Sequence, residues 1–257
     1  MKTDIIYQGD CKEIMKTLPT DGIDLTVTSP PYDNLRTYNG YDFDFEGIAE
    51  QLYRVTKPGG VVVWVVGDAT INGSETGTSF RQALYFKDIG FRLNDTMIWN
   101  KGSFTAVGAL KYRYAQTFEY MFILTKGSIK TFNPIKDRKN KVSGKIGGKL
   151  RQANGNMIRM STDGKQRSEY GQRFAIWEQS SCGGNKSGHP APFPEKLAND
   201  HIISWSNEND VVFDPMCGSG TTCKMAQANN RKFIGIDISE EYVNIAKKRC
   251  GVNPLIK

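Results

Sequence analysis

The stretch GVVVWVV at residues 60–66 leaves a folding chain few options. A strand with one wet face alternates apolar and polar residues, and this one does not alternate, so both of its faces must be covered. It is also far short of the roughly 20 apolar residues that span a bilayer. A strand buried on both faces belongs to a sheet with helices above and below. The rest of the chain supplies them. IIYQ (5–8) reads as a strand, CKEIMKTL (11–18) as a helix and DLTVT (24–28) as a second strand. FEGIAEQLYRV has helical apolar spacing and stops before Lys57-Pro58-Gly59-Gly60. A helix at about 78–89 and strands at about 91–99 and 118–125 follow.

Residues 128 to about 188 interrupt this rhythm: Gly, Asn, Lys and Arg rise and apolar periodicity fades. Alternation then resumes with a helix after HPAPFPEKL (189–197), a strand DVVFD (210–214) and a helix over about 220–229. A strand KFIGID (232–237) and a last helix over 239–250 follow. Short connections between alternating elements imply an α/β fold with a doubly wound, mostly parallel sheet. The expected organisation is a first half at 1–127, an insertion at 128–188 and a second half of the same domain at 189–257.

Formal net charge is +7. Between Ser128 and Arg173 twelve Lys/Arg face three acids, a net +9 that leaves −2 for the remainder. Concentrated positive charge points to a polyanionic partner, against the alternative of a solvated basic loop. The candidates for contact with nucleic acid are Lys136, Arg138, Lys139, Lys141, Lys145, Lys149, Arg151, Arg159 and Arg167. The five cysteines include no C-x-x-C spacing and there are only two histidines, so neither a disulfide framework nor a metal site is expected. Asp4 breaks the N-terminus before any leader-like apolar region. A reducing, cytoplasmic setting without a membrane partner is the expectation.

Two loops stand out. TSPPY (28–32) ends the second strand, and two prolines there stop ladder pairing and fix the backbone. DPMCGSGTT (214–222) follows another strand and opens a helix. Gly218 and Gly220 permit a tight turn and close approach to the main chain. The helix start at Thr221 and Thr222 favours an anionic group. It lacks the Gly-Lys-Ser/Thr ending of a phosphate-binding P-loop. Asp237, about twenty residues on, stands where nucleoside-binding folds hold ribose hydroxyls, though an acid there also suits a helix cap. Ligands of such sheets bind beyond the carboxyl ends of the strands, so both loops belong to one site.

TSPPY, DPMCGSGTT, HPAPFPEKL and KFIGIDISEEYVNIAKKR together resemble the DNA amino-methyltransferases that use S-adenosylmethionine. Their order is similar to the β group of that family, with the Pro-Pro-Tyr motif first and the cofactor motif last. The resemblance implies a Rossmann-like methyltransferase fold in circularly permuted form, in which IIYQ pairs beside KFIGID. The basic segment is then the target-recognition insertion. It implies catalytic roles for Ser29, Pro30, Pro31 and Tyr32. It implies cofactor contacts at Asp10, Cys11, Thr28, His189, Phe193, Asp214, Pro215, Met216, Gly218, Ser219, Gly220, Thr221, Thr222 and Asp237. Asp10 is also placed to cap the first helix. Met216 departs from the family's usual Phe, and residues 99–127 match the family's pattern too loosely to carry an assigned role.

The implied reaction moves a methyl group to the exocyclic amine of a base flipped out of duplex DNA. Ser29 leans the choice to cytosine N4; adenine N6 is the alternative, and a non-catalytic DNA-binding protein of the same fold is another. The resemblance also allows a homodimer. If the basic segment grips phosphates, DNA affinity falls steeply between about 50 and 200 mM salt through counterion release, as a filter-binding titration would measure. Affinity that ignores salt would refute phosphate contact.

Overall fold

The buried strand behaves as its composition requires. In the computed structural model, which describes residues 1–31, 43–102, 111–180 and 194–252, none of Val61 to Val66 is more than 1% exposed. Val61, Val63 and Val65 face one core layer, and Val62, Trp64 and Val66 face the other. The elements in chain order are β1 (Ile5–Gln8), α1 (Cys11–Thr17), β2 (Ile23–Thr28), α2 (Phe45–Val55) and β3 (Thr56–Val66). Next come β4 (Thr70–Ile71), β5 (Ser74–Glu75), α3 (Thr78–Asp88), β6 (Arg92–Asn100) and β7 (Phe118–Thr125). Five short strands follow: β8 (Arg138–Lys139), β9 (Lys149–Arg151), β10 (Met157–Arg159), β11 (Tyr170–Gly171) and β12 (Ile176–Glu178). The chain closes with α4 (Glu195–Trp205), β13 (Val211–Asp214), α5 (Thr221–Ala228), β14 (Lys232–Asp237) and α6 (Glu240–Arg249).

The main sheet has eight strands in the order β1-β14-β13-β2-β3-β7-β6-β12. Only β7 runs against its neighbours, β3 and β6. The sheet is therefore doubly wound and mostly parallel. The permutation is visible in one pairing: β1 lies parallel to β14, with Ile5 opposite Ile234 and Gln8 opposite Asp237. Helices α1, α2 and α3 cover one face through Met15, Leu52 and Phe86. Helices α4, α5 and α6 cover the other through Leu197, Ala226 and Ala246. In α2, Ile48, Ala49, Leu52 and Val55 form the buried stripe, and Asp44 caps the helix by accepting from the Gly47 N–H at 3.0 Å. No helix among the described residues is long and apolar enough to cross a membrane.

The chain divides into two compact units, residues 1–133 with 175–257, and residues 134–174. Strand β12 falls inside the range read from sequence as an insertion, yet it extends the main sheet, pairing Trp177 with Trp99 of β6. Trp177 is 5% exposed and stacks on His201, ring centroids 4.5 Å apart. His201 is buried too, accepting from the Trp205 indole N–H at 3.2 Å. That histidine is a core group.

The second unit is built differently. No residue of 134–174 is buried. The antiparallel pairing β8–β11 and the hairpin β9–β10 order it, together with an Asp137–Arg173 ion pair and Arg138 lying over the Phe174 ring. Eleven Lys/Arg against three acids give this unit a net +8, leaving −1 for the rest of the chain.

Because Trp177 sits in the core, Trp177→Ala should destabilise the protein by about 3–5 kcal/mol, measured as a lower urea midpoint. A change below about 1 kcal/mol would show that β12 is dispensable.

Candidate functional site

Parallel neighbours end on the same side of a sheet, so the carboxyl ends of β1, β14, β13 and β2 lie in a row. Strands β13 and β2 pair directly, Val212 with Leu25 and Phe213 with Thr26. One step further on, the Thr28 hydroxyl donates to Asp214 Oδ1 at 2.8 Å in a buried position. The Met216 N–H donates to the same oxygen at 3.1 Å. From the next helix, the Thr222 hydroxyl donates to the Val27 carbonyl at 3.1 Å. These bonds join the strand that enters the Ser-Pro-Pro loop to the strand, loop and helix that carry the glycines.

Asp237 organises the other side. Its Oδ2 accepts from the Gly218 N–H at 2.8 Å and its Oδ1 from the Ser239 N–H at 2.9 Å. Its backbone carbonyl accepts from Gly9 at 3.0 Å, which brings Asp10 alongside. Ser239, not Asp237, is the N-cap of α6. Asp10 does cap α1: its Oδ1 accepts from Lys12 and Glu13 at 2.8 and 3.1 Å, while the residue stays exposed. Gly218 and Gly220 have φ of +49° and +78°, which a side chain resists. At Gly220 an added Cβ would also lie 2.8 Å from the Ala246 Cβ, so this glycine lets α5 and α6 meet.

Burial dominates the electrostatics. It pushes the Asp214 carboxyl up to about 6, against the lowering influence of its hydrogen bonds from Thr28, Thr222 and Met216. Asp237 is also raised, chiefly by burial. The Cys11 thiol goes up to about 12 through burial and the nearby Asp10 and Asp237 charges. Cys217 is raised by its hydrogen bond with Cys223 and by burial. Neither thiol is a thiolate at neutral pH, so neither is an activated nucleophile.

The structure thus gathers Asp10, Cys11, Thr28, Ser29, Pro30, Pro31, Asp214 to Thr222 and Asp237 along one sheet edge. Ser29 is half-buried and Pro30 buried. Tyr32, His189 and Phe193 lie outside the described residues. Of the basic candidates, Lys136 to Arg167 all belong to the second unit.

Three supporting features had no sequence signal. Arg249, at the far end of α6, donates to the Ser219 carbonyl and hydroxyl at 2.7 and 2.8 Å. Glu195 accepts from both Arg249 and Lys224, which holds its carboxyl below the usual range. At the end of β3, Asp68 accepts from the Ser79 N–H at 2.9 Å and from its hydroxyl. A basic residue in the last turn of a helix reads as dipole compensation, which hides such a long-range role.

Comparisons with known proteins identify the family of the chain. The chain matches the family model described as DNA methylase over residues 23–248. The orphan methyltransferase M.BamHII of Bacillus amyloliquefaciens is 58% identical over 236 residues, covering 88% of each chain. The type II methyltransferase M.HpaI of Haemophilus parainfluenzae is 30% identical over 250 residues, covering 91% of this chain and 70% of that one. Among solved structures, the cytosine-N4-specific PvuII DNA methyltransferase shares the fold at TM-score 0.70 and 20% identity, covering 100% of this chain and 89% of that one. The M1.HpyAVI–SAM complex does so at TM-score 0.65 and 24% identity, covering 95% and 97%. The chain belongs to the DNA methylase family of N4-cytosine and N6-adenine amino-methyltransferases. Its methyl donor is S-adenosylmethionine.

The raised Asp214 carboxyl makes a signed prediction. A folded-state value of about 6 against an ordinary 3.8 means that the folded protein binds this proton more tightly. This contribution to stability is full below 3.8 and lost as pH rises through about 6. Asp214→Asn keeps an oxygen for Thr28 and Met216 but removes the titration. Urea unfolding from pH 7 down to 4.5 should therefore show a smaller relative gain for the variant than for wild type. Parallel curves would refute the raised value.

Proposed function

We propose that this chain transfers a methyl group to cytosine N4 in duplex DNA, with its reaction centre at the Ser29–Tyr32 loop and its cofactor on the adjoining glycine loop. The observation that carries the reading is the Thr28–Asp214 bond, which ties the two loops at adjacent strand ends.

The chain's residues suit S-adenosylmethionine in each part. Asp237 already holds Gly218 through one carboxylate oxygen, and each oxygen keeps lone-pair capacity for a ribose hydroxyl. Asp10 is exposed beside it, able to accept from an adenine amine. Gly220, the N-cap of α5, makes no side-chain capping bond, and a helix start of that kind favours a carboxylate. Bound S-adenosylmethionine supplies an electrophilic methyl on a sulfonium sulfur.

The acceptor amine is a poor nucleophile because its lone pair is delocalised into the ring. In this reading the Ser29 hydroxyl and the Pro30 carbonyl accept the amine hydrogens, which lets the nitrogen become more tetrahedral as it attacks. Prolines fix that carbonyl before substrate arrives, so little reorganisation is needed during reaction. Tyr32 offers an aromatic face to the flipped base, offsetting part of the unstacking cost. Ser29 favours cytosine, because in this family serine at that position often accompanies N4 methylation. The basic unit at 134–174 supplies target recognition in this reading, and a homodimer is compatible with it.

The test is methyl transfer from labelled S-adenosylmethionine to unmethylated duplex DNA, followed by nucleoside digestion and mass analysis. Label in N4-methylcytosine is expected; label in N6-methyladenine would overturn the base. Pro30→Ala and Tyr32→Ala should each lower turnover by about 100-fold or more while cofactor still binds. Unchanged turnover in either variant would refute its assigned role.

A further inference from the structure

We infer that the β9–β10 hairpin is a two-stranded ribbon that enters the DNA major groove, with Arg151 and Arg159 reading guanine. This rests on the DNA-methylation reading above and goes further by separating readers from supports among the basic residues.

The register makes the separation. Lys149 stands opposite Arg159, Leu150 opposite Ile158 and Arg151 opposite Met157. Side chains of directly paired residues share a face and alternate along each strand. Lys149, Arg151 and Arg159 therefore project from one face with Met157, and Leu150 and Ile158 pair on the other. All six residues are exposed.

The ribbon's tip is fixed by its own bonds. Gln152 donates to the Asn156 carbonyl at 2.8 Å, Gly155 to the Gln152 carbonyl at 2.9 Å, and the Asn156 N–H to Asn154 Oδ1 at 3.0 Å. Gly155 takes φ +85°, as a turn glycine can. A defined turn sets register, and register sets which face is basic.

Two of the other arginines, Arg138 and Arg173, hold the unit together. Arg138 donates from Nε to the Gln172 carbonyl at 2.9 Å and lies over Phe174. Arg173 pairs with Asp137. Arg167 is half-buried. Arg159 has only a long contact with Asp163, 3.7 Å, and its side chain is 82% exposed. Arg151 makes no hydrogen bond or ion pair among the described residues.

The dimensions fit the groove. Lys149 and Arg151 are two residues apart on a strand, about 6.8 Å. That is close to two base-pair steps of about 3.4 Å. A two-stranded ribbon enters the major groove, about 12 Å wide, and not the minor groove, about 6 Å wide. Arginine grips guanine O6 and N7 bidentately there, whereas lysine offers a point charge. Lys149 is accordingly assigned to a phosphate, and Met157 is available to a thymine methyl.

The test uses the full chain with S-adenosylmethionine and a duplex library of randomised sites, sequenced for methylated positions. Wild type should select one motif. Arg151→Lys and Arg159→Lys preserve charge, and each should relax a guanine preference at one position by about tenfold or more with the salt slope unchanged. Lys149→Ala should leave the motif intact and reduce the salt slope by about one. Cofactor binding equal to wild type verifies that the variants fold. Motifs unchanged in both arginine variants would overturn the ribbon assignment alone. A wild-type chain that binds cofactor but methylates no duplex would overturn the underlying reading instead.

Discussion

A buried hydrogen bond from the Thr28 hydroxyl to the Asp214 carboxylate joins the carboxyl ends of β2 and β13. Its two ends come from residues 186 positions apart in the chain. Backbone pairing between β2 and β13 stops at Phe213 and Thr26, just short of the edge. Beyond that point, side chains must do what the ladder no longer does. Asp214 accepts from the Thr28 hydroxyl and the Met216 N–H, and the Thr222 hydroxyl donates to the Val27 carbonyl beside it. A carboxylate sunk this deep is costly, which is why its proton affinity rises. The Thr28 and Met216 donors offset part of that cost and fix the orientation of the carboxyl group.

Around this bond the chain uses charge sparingly and at a distance. Glu195 at the start of α4 takes Lys224 of α5 and Arg249 of α6, so one carboxylate draws three helices together beneath the glycine loop. Arg249 then reaches up to Ser219. The loop's conformation is thus supported from the sheet side by Asp237 and from the helix side by Arg249. Gly220 is the point where the two supports converge, since no side chain fits between α5 and α6 there.

Much of this was legible in the sequence, and the reasons differ by element. The valine-rich strand announced a sheet covered on both faces, and the place of IIYQ beside KFIGID followed from the order of motifs. Neighbours decide the capping part of two readings: Asp10 caps α1, and Ser239 rather than Asp237 caps α6. Strand β12 was missed because three residues, IWE, carry no period, and its burial comes wholly from partners far along the chain. The β4–β5 hairpin was missed for the same reason of length. Arg249 was invisible because its partner lies thirty residues away around a loop.

The pairing of β1 with β14 also bears on how the chain is made. Ile5 meets its partner Ile234 only across a very long stretch of chain. Residues are made in chain order, so β1 has no sheet partner until β14 is made, and β2 has only β3 until β13 is made. Contacts so distant in sequence close large loops and form slowly. The row of carboxyl ends of β1, β14, β13 and β2 is consequently completed only after β3, β6 and β7 have been made. Until β13 and β14 are made, both edges of β1 and the β13-facing edge of β2 stand open; of these, the outer edge of β1 alone has no strand beside it among the described residues of the finished sheet.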